Sequence, residues 1–143
     1  MSRQERIINV LIPIAERSTM FNRHGAALTK GGKIYATGAN NKRTYINRNV
    51  VTSVHAEIDA IRTSLNMGIY PSGDIWIIQY TRSGIFGQSM PCESCLRTIK
   101  KYNISRIFYT NGNGDEIKVI KTCDAVPNWV SGAQMSYGIT NRF

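Results

Sequence analysis

The chain has few cysteines and no long apolar run, and each shortage excludes a class of protein. Three cysteines among 143 residues are a small and odd set, which excludes a disulfide framework and indicates a reducing compartment. The first six residues are charged and polar, and no apolar run follows them. The sequence therefore predicts neither a signal peptide nor a membrane span, and we expect a cytoplasmic protein.

Acidic residues are also scarce. Nine Asp and Glu stand against 18 Lys and Arg, which gives a formal net charge of +9. This excess suits phosphate-bearing partners such as nucleotides, a nucleic acid or an assembly that contains one. The basic residues are scattered, with no run of five or six like charges, so solubility alone explains the charge as well.

The length and composition are those of a soluble globular protein. At 143 residues with 42% hydrophobic content, the chain can bury a core without covalent cross-links. No internal repeat or low-complexity tract divides it. We therefore expect a single domain over residues 1–143, ending in a C-terminal arm from about residue 127 to residue 143.

Two short motifs carry the chemistry: H-x-E at residues 55–57 and P-C-x-x-C at residues 91–95. A catalytic zinc takes three protein ligands and keeps a fourth position for water. His55, Cys92 and Cys95 supply an imidazole and two thiolates for such a site. Glu57 then remains beside the metal as a carboxylate that can accept a proton from the water and return it to a leaving group.

The spacing of each motif requires a helix that begins at the metal. Residues i and i+2 point about 200° apart on a helix, so a mid-helix H-x-E cannot face one ion. Thr52 and Ser53 are suitable N-caps for a helix that starts there. Pro91 suits a first helical turn, which puts both cysteines of the second motif on one face. The motifs thus predict two helix N-termini directed at one point, where their positive ends favour thiolates.

A closed structural site is the alternative to this open one. A C-x-x-C pair alone indicates a redox pair or half of a structural zinc site. Cys123 could act as the fourth ligand of such a site, which would leave Glu57 without a role.

Hydrophobic periodicity and turn residues place the remaining elements. A helix at 3–17 contains Pro13, which predicts a kink or an early stop. The following segments are a hairpin with Gly31-Gly32 at its turn (25–30 and 33–37), a helix at 54–66, a strand at 74–80, a helix at 92–102, and strands at 104–110 and 117–120. The turn at 111–115 is too short for a crossover helix, so the last two strands are predicted to be antiparallel.

Two polar segments lead into the motifs. The basic stretch 42–51 precedes the first motif and is predicted to lie near the mouth of the site. A solvated loop without a binding role would have the same composition, so that alternative stays open. The Gly-rich loop 81–90 precedes the second motif. In it, Arg82 is a candidate for a phosphate contact, and Phe86 or Ile85 for covering a base. The alternative is a hairpin-like excursion that packs on its own domain.

From about residue 3 to residue 121, this order of elements and the two motifs resemble the cytidine deaminase-like superfamily, whose signature is H-x-E followed by P-C-x-x-C. The resemblance implies an α/β fold, a three-layer α/β/α sandwich with a five-strand mixed sheet. It implies zinc as cofactor, His55, Cys92 and Cys95 as its ligands, and Glu57 as the catalytic proton shuttle. Asn40, with Asn41 as the alternate, matches the position that holds the substrate sugar. Ala56 and Pro91, inside the two motifs, complete the predicted substrate contacts.

The function this implies is hydrolytic deamination of a cytosine-type nucleoside or nucleotide to its uracil product, by an enzyme that forms a homo-oligomer. Many members of the superfamily carry Thr-Leu-Glu where residues 87–90 stand here, which is a departure. The turn at 111–115 favours the branch that acts on free nucleosides. Two alternatives stay open: a deaminase acting on bases in single-stranded RNA or DNA, and a non-catalytic basic subunit of a nucleoprotein assembly.

Overall fold

The computed structural model describes residues 1–41 and 54–127. Three helices and six strands occur in this part of the chain. They are α1 (Arg3–Glu16), β1 (His24–Lys30), β2 (Lys33–Ala39), α2 (Ala56–Asn66), β3 (Ser72–Tyr80), β4 (Phe86–Gly87), α3 (Glu93–Ile99), β5 (Asn103–Thr110) and β6 (Ile117–Lys121). The predicted basic stretch 42–51 and nearly all of the predicted C-terminal arm lie outside the described residues.

The strands form one mixed sheet in the order β2-β1-β3-β5-β6, with the two-residue β4 paired to β3 outside this path. Among the described strands, β3 and β5 form the single parallel pair. The pairing of β5 with β6 is antiparallel, from Arg106 opposite Lys121 to Thr110 opposite Ile117. The prediction from the short turn at 111–115 is therefore confirmed, and so is the five-strand mixed sheet.

The helices cover both faces of this sheet. α1 packs on one face, where Ile7 and Leu11 are fully buried with Trp76 and Ile78 of β3. α2 and α3 cover the opposite face, against Ile75 and Ile77 and their neighbours. The continuous apolar run of β3 is explained by this burial, because alternate side chains enter different layers. The α/β/α sandwich predicted from the sequence is confirmed.

The first helix begins with a complete capping box. The Ser2 side chain accepts a hydrogen bond from the Glu5 backbone N–H at 3.1 Å, and the Glu5 carboxylate accepts one from the Ser2 backbone N–H at 3.4 Å. The helix continues through Pro13 to Glu16, so of the two predicted effects of Pro13, a kink or an early stop, the early stop is wrong. Pro13 lies in the last turn, where its missing N–H removes a single helical bond.

The hairpin between β1 and β2 has the predicted two-residue turn. Gly31 and Gly32 have φ values of 59° and 79°, which other residues adopt only with strain. None of the described helices is both long and apolar enough to cross a membrane.

Candidate metal centre and active-site cavity

Three donor groups meet at the N-terminal ends of α2 and α3. The Nδ1 atom of His55 lies 3.0 Å from the Sγ atom of Cys95 and 3.7 Å from that of Cys92. The three donor atoms all lie within 4.8 Å of one another. His55 is the N-cap of α2, Cys92 is the N-cap of α3, and Cys95 lies in the first turn of α3. The two motifs therefore meet end-on, as their spacing predicts.

The helix boundaries differ from the prediction by a few residues. α2 begins at Ala56 with His55 as its N-cap, so the assignment of Thr52 and Ser53 as N-caps is wrong. α3 begins at Glu93 after Cys92, so Pro91 lies before the cap and not in the first turn. In both helices a predicted metal ligand takes the cap position, which a polar side chain fills in most helices.

α2 is held close to the sheet where it begins. A Cβ atom added at Gly38 of β2 would lie 2.7 Å from the Ala56 backbone oxygen, a separation too short for any side chain. The Asp59 carboxylate of α2 accepts a hydrogen bond from the Ala39 backbone N–H at 3.1 Å. Asn41 and Val54 form a pair of backbone hydrogen bonds of 3.0 Å and 2.8 Å just before the helix. Together these contacts fix the position of His55.

A buried polar network holds the chain that leads to Cys92. The Ser89 hydroxyl donates to the Ile77 carbonyl at 2.7 Å and accepts from the Thr110 backbone N–H at 2.8 Å. The Ser89 backbone N–H donates to the Thr110 carbonyl at 2.8 Å. Residue 89 is thereby fixed to the ends of both parallel strands, three positions before the ligand. The sequence analysis missed this pair, because 21 residues separate the partners and no local pattern links them.

The donor set fits Zn²⁺. One imidazole and two thiolates are common zinc ligands, and tetrahedral coordination puts such donors about 3.5 Å apart, close to the 3.0 Å and 3.7 Å found here. Cys123 is exposed, and its Sγ lies 3.7 Å from an Asp124 carboxylate oxygen. It does not belong to the cluster of three found in the described residues. The undescribed ranges 42–53 and 128–143 contain no His, Cys, Asp or Glu. The arrangement therefore favours the open site over a closed site completed by Cys123.

The ligand groups strongly affect one another's protonation. Hydrogen bonds from the Cys95 thiol and from the His55 ring lower the pKa of Cys92 to about 4. The pKa of Cys95 is raised well above its ordinary value by the Cys92 thiolate and by burial. The hydrogen bond to Cys92 also raises the pKa of His55. One thiolate is thus already formed at neutral pH, which is the form that binds a metal.

Glu57 is the acidic group of this site. It lies in the first turn of α2 and is only 5% exposed. Burial raises the pKa of its carboxyl group, and the nearby His55 ring opposes this shift. A carboxyl with a raised pKa can hold a proton and give it back near neutral pH, which a solvated glutamate does poorly.

A cavity of about 250 Å³ opens above these groups. His55, Glu57 and Cys92 line it, together with the predicted contacts Asn40 and Ala56. Asn41 does not line it, and its side chain donates to the Ala39 carbonyl at 2.9 Å. Pro91 is buried beside Cys92, outside the lining.

Arg82 and Phe86 are placed away from the cavity lining. Thr81 to Ile85 form a tight turn, with 2.9 Å between the Thr81 nitrogen and the Ile85 oxygen. Phe86 pairs with Tyr80 in the sheet, and their rings pack with centroids 5.3 Å apart. Arg82 is exposed on the turn. The loop therefore has the hairpin-like form that was the alternative, and substrate contacts by these two residues stay predictions.

One wall of the cavity comes from a segment that the sequence analysis did not assign. Met20, Phe21, Asn22 and His24 line it just before and at the start of β1. Phe21 is 86% exposed at this wall. Sequence patterns give no signal for the segment, because its position depends on the pairing of β1 with β2 and β3.

The family comparison covers most of the chain. The family model described as the cytidine and deoxycytidylate deaminase zinc-binding region matches residues 1–111, which include both motifs. A search of curated proteins found no match.

Solved structures share the fold. A cytidine deaminase from Burkholderia pseudomallei is 21% identical with a TM-score of 0.66, over 90% of this chain and 99% of that one. A cytidine deaminase from Mycobacterium leprae is 15% identical with a TM-score of 0.60, over 90% of this chain and 100% of that one. A dCMP deaminase from the cyanophage S-TIM5, solved in complex with dCMP and dUMP, is 17% identical with a TM-score of 0.57, over 76% of this chain and 80% of that one.

Proposed function

Since this chain belongs to the family of the cytidine and deoxycytidylate deaminase zinc-binding region, we propose that it hydrolyses the amino group of a cytosine-type nucleoside or nucleotide to give the uracil product. The observation that carries the proposal is the cluster of His55, Cys92 and Cys95 next to the buried Glu57 at one cavity. A redox or purely structural thiol pair does not need that carboxyl group.

The residues of the cluster would hold the zinc. When bound, the metal lowers the pKa of a water molecule to about 7 and so supplies a nucleophile at neutral pH. The chain leaves room for that water, because only three donors gather in the described residues. Glu57 and Cys92 line the same cavity, so a base in the cavity reaches both the metal position and the carboxyl group.

Glu57 moves the protons of the reaction. It takes the proton that the attacking water gives up as the C4–O bond forms, and it delivers that proton to N3 of the ring. A second transfer through the same carboxyl group moves the proton of the new C4 hydroxyl group to the exocyclic nitrogen. The C4–N4 bond then breaks, ammonia leaves and the uracil carbonyl forms. Burial suits Glu57 to this role because the raised pKa makes its carboxylate a stronger base towards the water.

The size and charge of the cavity favour a single small substrate. Its volume of about 250 Å³ is close to the lower end of ligand pockets, which is about 300 Å³. Among the described lining residues there is no Lys or Arg, whereas a polynucleotide needs cations along its phosphates. We therefore keep the free nucleoside or nucleotide as the proposed substrate.

Ammonia release from a substrate panel tests the proposal. Zinc-loaded protein is incubated with cytidine, deoxycytidine, their monophosphates, adenosine, guanosine and single-stranded oligonucleotides. We expect turnover of a cytosine nucleoside or nucleotide and none by the Glu57→Gln variant at equal zinc content. Turnover confined to oligonucleotides would show that the substrate is a nucleic acid. The absence of turnover on every member of the panel would overturn the enzyme assignment.

Self-association remains a prediction. Four hydrophobic side chains near the C-terminal end of α2 are exposed in the single chain: Leu65, Met67, Ile69 and Tyr70. Light scattering during size-exclusion chromatography measures the mass in solution, and a monomer at micromolar concentration would contradict the prediction.

A further inference from the structure

His24 is a polar side chain in the cavity that the proposed reaction does not use. It is the first residue of β1 and lines the cavity with Glu57 and Cys92. It does not belong to the three-residue donor cluster found in the described residues. A histidine in such a place acts either as a structural residue or as a contact with substrate, and its hydrogen bonds distinguish the two.

The hydrogen bond of the ring to the backbone assigns its tautomer. Nδ1 of His24 lies 3.3 Å from the Asn22 carbonyl oxygen. A carbonyl oxygen only accepts hydrogen bonds, so Nδ1 carries the ring proton and Nε2 has a free lone pair. Within the described residues, Nε2 has no hydrogen-bond partner, and it is not among the fully enclosed polar atoms that lack one. Nε2 is therefore an acceptor without a partner in the described residues, on a side chain that lines the cavity.

Asn40 holds this arrangement in place. Its Nδ2 donates to the same Asn22 carbonyl at 2.6 Å, and its Oδ1 accepts from the His24 backbone N–H at 2.8 Å. One donor and one acceptor of the amide are thus used on the backbone of residues 22–24. Asn40, the predicted sugar contact, keeps only half of its hydrogen-bonding capacity for a substrate.

The ring offers an acceptor without a charge. Burial lowers the pKa of His24 to about 4, so the imidazole is neutral at pH 7. A neutral acceptor gains nothing from a phosphate, whose oxygens also accept. It suits a hydroxyl group. With the reacting end of a base at Glu57, its sugar would extend along the wall that runs from His24 to the exposed Phe21.

We propose that Nε2 of His24 accepts a hydrogen bond from a sugar hydroxyl of the nucleoside, and that this contact makes His24 a specificity-determining residue. The inference rests on the proposed function for the identity of the substrate. It adds a residue that binds the sugar, and it predicts that the chain distinguishes nucleosides by one hydroxyl group.

Kinetics with matched analogues test the contact. Cytidine is compared with its 2′-deoxy, 3′-deoxy and 5′-deoxy analogues for the wild type and for His24→Phe, which keeps a ring and removes the acceptor. We expect His24→Phe to lower kcat/KM for cytidine about tenfold, the usual effect of one hydrogen bond. On the one analogue that lacks the bonded hydroxyl, wild type and variant should be equal. An equal loss on all four substrates makes His24 structural and overturns the proposal.

A conservative variant protects the test against a folding defect. His24→Gln retains an amide oxygen that can accept, and thermal melting checks both variants. We expect His24→Gln to recover part of the discrimination among the analogues that His24→Phe loses. Discrimination by His24→Gln no greater than that of His24→Phe, with both variants folded, would contradict the contact.

Nitrogen-15 NMR of the histidines gives a readout independent of turnover. The chain has two histidines, so the His24→Phe spectrum assigns both. We expect the Nδ1–H tautomer for His24 and a shift of its Nε2 resonance when cytidine is added to Glu57→Gln protein. A protonated Nε2, or no shift at saturating cytidine, overturns the inference even where ammonia release supports the proposed function. A shift without ammonia release by the wild type leaves the sugar contact intact and overturns the deaminase assignment alone.

Discussion

The N-terminal ends of α1 and α3 use the same residue spacing for different purposes. In α1 the N-cap Ser2 and the third helical residue Glu5 exchange hydrogen bonds with each other's backbone. In α3 the same two positions hold Cys92 and Cys95, and the described residues provide no side-chain cap for this helix. The comparison shows that a helix start can satisfy its own N–H groups or present ligands to a metal, depending on the two residues at this spacing.

α2 extends the comparison to the acidic residues of the first turn. Glu5 of α1 is exposed and completes its capping box, whereas Glu57 of α2 is buried beside the donor cluster. Burial raises the pKa of Glu57. At the site, the helix starts carry reactive groups in place of capping residues, which lowers their local stability. We expect bound zinc to restore part of that stability.

The largest expected effect distinguishes Glu57 of α2 from Glu5 of α1. Glu57→Gln should reduce kcat by about 100- to 10,000-fold, which is the usual contribution of general acid–base catalysis. Its zinc content should be unchanged, because Glu57 lies outside the donor cluster found in the described residues. Ammonia release and metal analysis measure both quantities. Glu5→Gln is the matched control in the first turn of α1, and a comparable loss in that variant would show that the effect comes from folding.

The next largest effect distinguishes the Cys92 and Cys95 pair of α3 from the capping pair of α1. Cys92→Ser and Cys95→Ser should abolish binding of one zinc per chain. Metal bound only by the folded state stabilises it by about 4 kcal/mol when free zinc exceeds its dissociation constant a thousandfold. The melting temperature should then fall by on the order of 10 °C, as it should when a strong chelator is added to the wild type.

Cys123→Ser is the control for this pair. Cys123 is exposed and lies outside the donor cluster, so zinc content and melting temperature should match those of the wild type. Loss of zinc from this variant would show that Cys123 is a ligand and that the site is a closed structural one.

The pH dependence of stability sharpens the contrast between buried and exposed groups. The pKa of His24 falls from 6.5 to about 4 on folding, so the unfolded chain binds more protons between these values. Stability is therefore complete above pH 6.5 and decreases as the pH falls towards 4, by about 3 kcal/mol from this residue.

Urea unfolding between pH 4 and 7 measures this term as a difference between wild type and His24→Phe. The zinc ligands and Glu57 titrate in both proteins, so the difference between the two curves isolates His24 together with its repulsion from His55. Curves that stay parallel across this range would contradict the buried, neutral state of His24.

The smallest effect concerns the capping box of α1. Ser2→Ala removes the acceptor for the Glu5 N–H and should lower the free energy of unfolding by about 1 kcal/mol. Zinc content and kcat should not change, because α1 lies on the other face of the sheet from α2 and α3. Chemical denaturation and metal analysis check this, and a loss of zinc would show that α1 supports the metal centre.

Most of the fold could be predicted from local patterns. The apolar run of β3, the Gly31-Gly32 turn and the short 111–115 connection each depend on neighbouring residues, and all three predictions are confirmed. The N-cap assignments of Thr52 and Ser53 and the placement of Pro91 in a first helical turn were wrong by a few positions. Cap preferences are weak relative to the position that a ligand needs, so they could not decide these boundaries.

The sequence by itself determined the chemistry of the centre. His, Glu and the two cysteines are defined by their spacing, and the geometry of a helix start follows from it. Tertiary structure decided which other residues reach the cavity. It brought in His24, which had no assigned role, and it placed Phe86 against Tyr80 outside the lining. The physical reason is that strand pairing brings the start of β1 and the end of β2 together, so that Asn40 can clamp Asn22 and His24. Such contacts between residues 16 to 18 positions apart follow from the packing of the whole chain and have no local signal.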